Sequence, residues 1–250
     1  MGAMRWIYLS PHLDDAVLSA GGLIYEQTKS GIPVEIWTCM CGYPPDLPEG
    51  EYSSFAQLQH AQWEFSSARE GIRIRREEDK NAAARVGASV VHFDFLDCIY
   101  RRGIKGEWLY YDISAPPHVE DMEIPSQIAE VVTARLTRDD VLVCQLSVGS
   151  HVDHILVRQS AQMLGRPLLY DVDIPYLFKM PHELELKAAG MKESVHLVTE
   201  AGLRSWQQAI LEYKSQIVVL GDSFNTVEKV REAIQSYWAE RKGVSLWQER

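Results

Sequence analysis

Two short stretches carry residue types that can do chemistry together. Ser10-Pro11-His12-Leu13-Asp14-Asp15 places one imidazole and two carboxylates within a few positions, and Gly149-Ser150-His151-Val152-Asp153-His154 places two imidazoles around a carboxylate. His12 and Asp15 share the i, i+3 relation, as do His151 and His154, so on an incipient helical turn each pair faces one way. A catalytic zinc-type ion commonly takes three protein ligands and keeps a fourth position open for water. His12, Asp15 and His154 would supply that set and leave Asp14 and His151 free beside it. Such an ion lowers the pKa of bound water to about 7 and polarises a carbonyl. Asp14 would then accept a proton from the water. His151 would stabilise an oxyanion or protonate a leaving group, and Asp153 would fix the His151 tautomer. Taken singly, each stretch also reads as a helix cap, since Ser and Asp favour helix N-termini. Two His/Asp clusters, each closing a strand and opening a helix, favour the metal site.

The elements that must position these residues follow from apolar periodicity. Strands are expected at residues 5–10, 33–41, 89–95, 140–146 and 167–170, and helices at 14–29, 55–65, 77–86, 124–137 and 151–164. Residues 42–51, rich in Pro and Gly, form a loop long enough to serve as a pocket wall or lid. This alternation predicts an α/β fold with a mainly parallel sheet and helices on both faces. In a doubly wound sheet the loops after the first and fourth strands lie on one edge and can converge. Beyond residue 171 the pattern is less regular, with a strand at 195–199 and helices at 202–217 and 227–239. No repeat or linker interrupts the chain. It reads as one domain over 1–250, a core of about 5–170 and a C-terminal extension of about 171–250.

Bulk properties exclude several classes. The chain has 250 residues, 46% of them hydrophobic, and a net charge of −10. It shows no basic face for nucleic acid and no apolar run long enough to span a membrane. The start lacks a secretory signal pattern, and residues 1–3 read as a cloning remnant before Met4. Cys39, Cys41, Cys98 and Cys144 lie in or near apolar runs and read as reduced core thiols of a cytoplasmic protein. The acidic C-terminal third is a candidate homo-oligomer interface.

Pro11-His12-Leu13-Asp14-Asp15 and His151-Val152-Asp153-His154 resemble the two signature motifs of the PIG-L/LmbE deacetylases, and the resemblance extends over roughly residues 5–165. It implies a Rossmann-like fold and a divalent metal, normally zinc, although His-His-Asp ligation also suits Fe(II). It further implies hydrolysis of an N-acyl group, usually acetyl, from an amino sugar or its conjugate. By motif match His12, Asp15 and His154 are the implied metal ligands and Asp14 the general base. His151 is the oxyanion stabiliser and acid, oriented by Asp153. Arg75 begins an R-x-x-E-x-x-x-A pattern with Glu78 and Ala82, whose arginine would contact substrate; a solvated basic turn is the competing reading. Asp97 matches an aspartate that binds sugar hydroxyls and is equally a strand-end turn residue. Tyr213-Lys214-Ser215-Gln216 is similar to a late supporting segment.

Ala16, Leu13, Val152 and Gly149 depart from the family pattern, the last standing where some members carry a tyrosine that helps polarise the carbonyl. These departures leave the ligands intact and the substrate open. Tyr43, Trp63, Tyr100, Trp108, Tyr110, Tyr111, Tyr170 and Tyr176 lie near the proposed edge. Aromatic walls suit sugar faces, though any one of them is more readily core. Asp171, Asp173 and Tyr176 are expected at the same mouth, which would make it acidic. The competing functions are a non-catalytic metal- or sugar-binding module of the same fold and, less favoured, a metal-assisted phosphoesterase.

Overall fold

The computed structural model describes residues 4–221 and 224–250, so the proposed remnant at residues 1–3 lies outside the described residues. Five strands run parallel: β1 (Trp6–Ser10), β2 (Val34–Thr38), β3 (Ser89–His92), β4 (Val141–Gln145) and β5 (Leu168–Asp171). Two more, β6 (Met191–Leu197) and β7 (Gly243–Glu249), pair antiparallel with each other, and β7 pairs antiparallel with β5. The sheet order is β3-β2-β1-β4-β5-β7-β6. From β1 the chain winds outward to β2 and β3, then crosses back to β4 and winds the other way. The strand order therefore reverses between β1 and β4, whose carboxyl ends open the crevice where such sheets bind ligands. Both strands are buried almost end to end, as parallel strands covered on both faces must be.

The helices are α1 (Asp15–Lys29), α2 (Ser54–Trp63), α3 (Ala68–Arg85), α4 (Ile124–Thr133), α5 (Val152–Met163), α6 (Tyr176–Lys179), α7 (His182–Lys187), α8 (Glu200–Ile210), α9 (Lys214–Ile217) and α10 (Val227–Arg241). Helices α4 and α5 pack on each other, while α1, α3, α8 and α10 form a separate group. The right-handed rule for crossovers between parallel strands assigns the two groups to opposite faces of the sheet.

The sequence expectation holds for the order of strands and fails in three places. Helix α3 begins at Ala68, well before residue 77. Its buried positions include Arg75, Glu78 and Asp79, so its inward stripe is partly charged and hides from a search for apolar periodicity. The single expected helix 202–217 is broken into α8 and α9 by a turn. The C-terminal third is not irregular: β7, which the sequence reading missed, bridges β5 and β6 and extends the sheet.

That third also clamps the helix that carries the first motif. The Trp206 indole of α8 lies against Gly21 and Gly22 of α1, where a Cβ on either glycine would run into the ring. Its Nε1 donates to the Val17 carbonyl at 2.7 Å. Trp206 is fully buried. Trp206→Ala is expected to destabilise the protein by about 3–5 kcal/mol, read as a shift in the urea unfolding midpoint with unchanged slope.

Candidate active site

The turn after β1 is supported by Ser10. Its Oγ accepts the Ala16 N–H at 3.1 Å and donates to the His12 carbonyl at 2.7 Å. The Asp15 carboxylate folds back to accept the His12 N–H at 2.7 Å. With those bonds made, Asp14 at the N-cap position of α1 makes no side-chain cap hydrogen bond. The helix-cap reading thus applies to Ser10, and the Asp14 carboxylate is left facing a cavity.

The turn after β4 is built from left-handed residues: Ser147, Gly149 and Ser150 have φ of 60°, 85° and 54°. Such conformations in non-glycine residues are uncommon. At Gly149 a side chain is excluded twice, by φ and because its Cβ would meet the Tyr176 ring. Asp173, just beyond β5, accepts the Val148 N–H at 2.9 Å and pins this turn. His151 caps α5, its Nδ1 accepting the Asp153 N–H at 3.1 Å.

These two turns bring the motifs together across the strand switch. Asp15 Oδ2 lies 3.2 Å from His12 Nδ1 and 3.4 Å from His154 Nε2. Each histidine is backed on its other nitrogen by a carboxylate: His12 Nε2 lies 3.1 Å from Asp153 Oδ2, and His154 Nδ1 lies 2.7 Å from Asp173 Oδ1. Imidazole metal ligands are typically held by such outer carboxylates. The His151 ring centroid sits 4.7 Å from that of His12 and 4.9 Å from that of His154. One donor atom each from His12, Asp15 and His154 lie within 4.8 Å of one another. His12, His151 and Asp153 meet the same test, as do Asp97, Cys98 and Asp153. Asp153, however, is engaged with Arg101 at 2.6 Å and with the Cys98 N–H at 2.9 Å, and burial pushes the Cys98 thiol far up.

The Asp153 carboxylate, expected to orient His151, has a ligand atom within 4.8 Å of that ring's, and its hydrogen bonds run elsewhere. That carboxylate is fully buried against Arg101, His12 and the Cys98 N–H, while the His151 ring is oriented by the Asp153 backbone. Arg101, which no sequence pattern marked, spans Asp153 and Asp121.

Electrostatics favour a cation at the meeting point. Asp14, Asp15, Asp97, Asp153 and Asp173 are all buried here, answered by the buried arginines Arg75 and Arg101. Burial pushes the Asp14 carboxyl up to about 6, with Asp15 adding to the rise and Arg75 opposing it. Burial would raise Asp15 as well, but His154 and His12 hold it below the usual carboxylate range. Burial disfavours charge on His12 and His154, yet the surrounding carboxylates raise both. Burial, with positive charge on those two neighbours, holds His151 well below its ordinary value. Positive charge is thus drawn to the two rings flanking Asp15, and the donor set there fits a divalent ion.

The cavity above this centre has a volume of about 270 Å³. Arg75 forms part of its wall and is only 5% exposed, so the surface-turn reading does not hold. Its guanidinium lies 3.9 Å from Asp14 and 5.1 Å from the Trp63 ring centre. Asp97 also lines the cavity, 3.8 Å from His12 Nε2, while its other oxygen accepts the Ile99 N–H. Glu78 and Ser215 meet, with Ser215 donating through N–H and Oγ at 2.9 and 2.6 Å, so the α3 pattern and the late segment clasp each other. That clasp sets Gln216 into the cavity wall.

Of the eight aromatics named from sequence, only Trp63 and Tyr176 line this cavity. Asp171 and Asp173 do not line it; both are fully buried behind the site, Asp173 against His154. The wall opposite comes from α2, through Gln59, Gln62 and Trp63, and not from loop 42–51. Helix α2 is pinned there by His60, between the Glu49 carboxylate at 2.9 Å and the Tyr100 hydroxyl at 2.9 Å.

The profile of the PIG-L family, described as GlcNAc-PI de-N-acetylase, matches residues 7–163. The chain belongs to the PIG-L family. This PIG-L chain is 25% identical over 263 residues to 2′-N-acetylparomamine deacetylase of Niallia circulans, across 97% of this chain and 93% of that one. Its fold is similar to that of teicoplanin deacetylase in a zinc-inhibited form, with a TM-score of 0.81 at 25% identity over 98% and 97% of the two chains. It is also similar to A40926 pseudoaglycone deacetylase, with a TM-score of 0.75 at 25% identity over 99% and 97%. Relatives of this PIG-L chain are thus deacetylases by name, two of them named for teicoplanin and for the antimicrobial A40926.

The geometry makes Asp153 the outer support of His12. If the His12-Asp15-His154 set holds a divalent ion, Asp153→Asn is expected to weaken its binding by about 10- to 100-fold, measured by competition with a chromophoric chelator. An unchanged affinity would remove Asp153 from that role.

Proposed function

We propose that this PIG-L chain removes an N-acetyl group from an amino sugar carried in a larger conjugate. The observation that carries this reading is an Asp14 carboxylate released from helix capping and set beside a buried His12-Asp15-His154 donor set at the strand switch. His12, Asp15 and His154 would hold a divalent ion, zinc foremost. Such an ion supplies Lewis-acid polarisation of the amide carbonyl and a more acidic water.

The chain's own residues do the rest. Asp14 takes the proton from the attacking water and returns it to the nitrogen as the C–N bond breaks, leaving acetate and a free amine. His151 accepts the Asp153 N–H on Nδ1, so in the neutral ring the proton sits on Nε2, a donor for the developing oxyanion. Asp153 acts on His12 instead, through their contact at 3.1 Å. Arg75, buried beside Asp14, offers donors to the acyl oxygen or a sugar hydroxyl, and Asp97 accepts from hydroxyls. The cavity is at the small end for ligand sites, a size that suits a single sugar ring with its acyl group. No helix among the described residues is long and apolar enough to cross a membrane. The four buried, unpaired thiols fit a reducing, cytoplasmic setting.

Two experiments test this reading. Zinc-loaded protein is expected to release acetate from N-acetylglucosaminyl compounds, to lose that activity with a chelator, and to lose bound metal in His154→Ala. Asp14→Asn is expected to keep its metal while kcat falls by about 10²- to 10⁴-fold. If Asp14→Asn is as active as the parent on every accepted substrate, the base assignment fails and the binding-module reading returns.

A further inference from the structure

The turn that leads into His151 makes most of its bonds outside itself. The Val148 N–H donates to Asp173 at 2.9 Å, the Gly149 N–H to the Glu183 carboxylate at 2.9 Å and the Val152 N–H to the Ile113 carbonyl at 2.8 Å. Lys187 donates to the Ser150 hydroxyl at 3.1 Å. Ser147 and Ser150 hold left-handed backbone, which non-glycine residues keep only where the surroundings fix it. The conformation that delivers His151 is thus imposed by these partners, because its own residues do not favour it.

Glu183 and Lys187 both stand on α7, a six-residue helix with no buried residue. Leu184 packs it against the core. The two charged side chains are four residues apart, the spacing of an intrahelical ion pair. Among the described residues they form no such pair, and their side-chain hydrogen bonds go to the turn alone. Asp173 has no such separate part. One of its oxygens holds the turn and the other holds His154, so its loss would disturb turn and metal-binding set together.

We propose that Glu183 and Lys187 are positioning residues for His151, fixing its ring over the reacting centre without touching the metal-binding set. This rests on the deacetylase reading for the task of His151 as oxyanion donor. Gly149 and Ser150 run straight into His151, so slackening them moves that ring. His154 stays held by Asp15 and Asp173. Misplacement by about an ångström can cost such a group about 100-fold in rate.

The test has two readouts. In magnetic resonance spectra of zinc-loaded protein with isotope-labelled histidine, Glu183→Ala is expected to shift the His151 ring signals and leave those of His154 in place. In acetate release from an N-acetylglucosaminyl compound, the same variant is expected to lower kcat by about 10- to 100-fold, with KM, zinc affinity and the urea midpoint unchanged. Glu183→Gln keeps an oxygen that accepts the Gly149 N–H and is expected to match the parent in both readouts. Lys187→Met is expected to act in the same direction as Glu183→Ala. The double variant is expected to lose less than the product of the single losses, because both side chains hold one turn. Unmoved His151 signals in Glu183→Ala would overturn the assignment. So would an equal loss in Glu183→Gln, or zinc affinity falling in step with kcat. The spectra do not depend on turnover, so a parent protein that releases no acetate counts against the deacetylase reading alone.

Discussion

A single carboxylate, that of Asp15, accepts the His12 N–H and lies within ion-pair distance of both His12 and His154. The two histidines come from segments far apart in sequence, His12 from the turn after β1 and His154 from the first turn of α5, which follows β4. Nothing local brings them together; the strand order does, because β1 and β4 are neighbours and their carboxyl ends share the switch point. Much of the molecule serves that meeting. Ser10 holds the first turn, Asp173 holds the second, and Trp206 presses on the helix that begins with Asp15. The surrounding charges are costly to bury, and three of them are answered directly: Asp153 by Arg101, Arg101 by Asp121, and Asp173 by His154. A buried charge that loses its partner is far more destabilising than the intact pair is stabilising. The network is therefore better understood as fixing geometry than as adding stability.

The parts of this arrangement that were legible in sequence were those whose chemistry is local. His12, Asp15 and His154 announce themselves by type and spacing, and the alternation of strands and helices puts both motifs on one edge. What escaped had a physical reason in each case. Helix α3 turns Arg75, Glu78 and Asp79 inward, so its buried face lacks the apolar period. Arg101 acts through contacts made across the fold, with no pattern around it in sequence, and Asp173, expected at the mouth, instead backs His154 from behind. Asp153 sits within a recognisable motif, yet its partner could not be read from spacing. In the structure its carboxylate contacts the other motif's histidine, while its backbone N–H makes the hydrogen bond to the neighbouring one.

Gly149 shows how a departure from a family pattern can be absorbed by the fold. A side chain there would collide with Tyr176, which packs edge-on against His154 with ring centres 5.6 Å apart. The glycine and the tyrosine are therefore one feature. The space that a residue at position 149 would fill is taken by a ring delivered from the segment after β5, and that ring also forms part of the cavity wall. The segment is itself fixed by Asp173 and by the Ile174 N–H donating to Ser19 of α1, so Tyr176 is placed with reference to both halves of the site.

The same logic separates what the family frame dictates from what it leaves free. His12, Asp14, Asp15, His151 and His154 stand on the turns and first helical residues that follow adjacent central strands, and shifting any of them would leave buried charges without partners. The outer wall has no such constraint. Gln59, Gln62 and Trp63 come from α2, and Gln216, Val219 and Leu220 from α9 and the residues after it. These segments touch the catalytic layer through few polar bonds: His60 with Glu49 and Tyr100 on one side, Ser215 with Glu78 on the other. Substitutions between those tethers can reshape the cavity without disturbing the charge network beneath. On the proposed function, reaction type would rest on groups that cannot move independently, and substrate choice on groups that can.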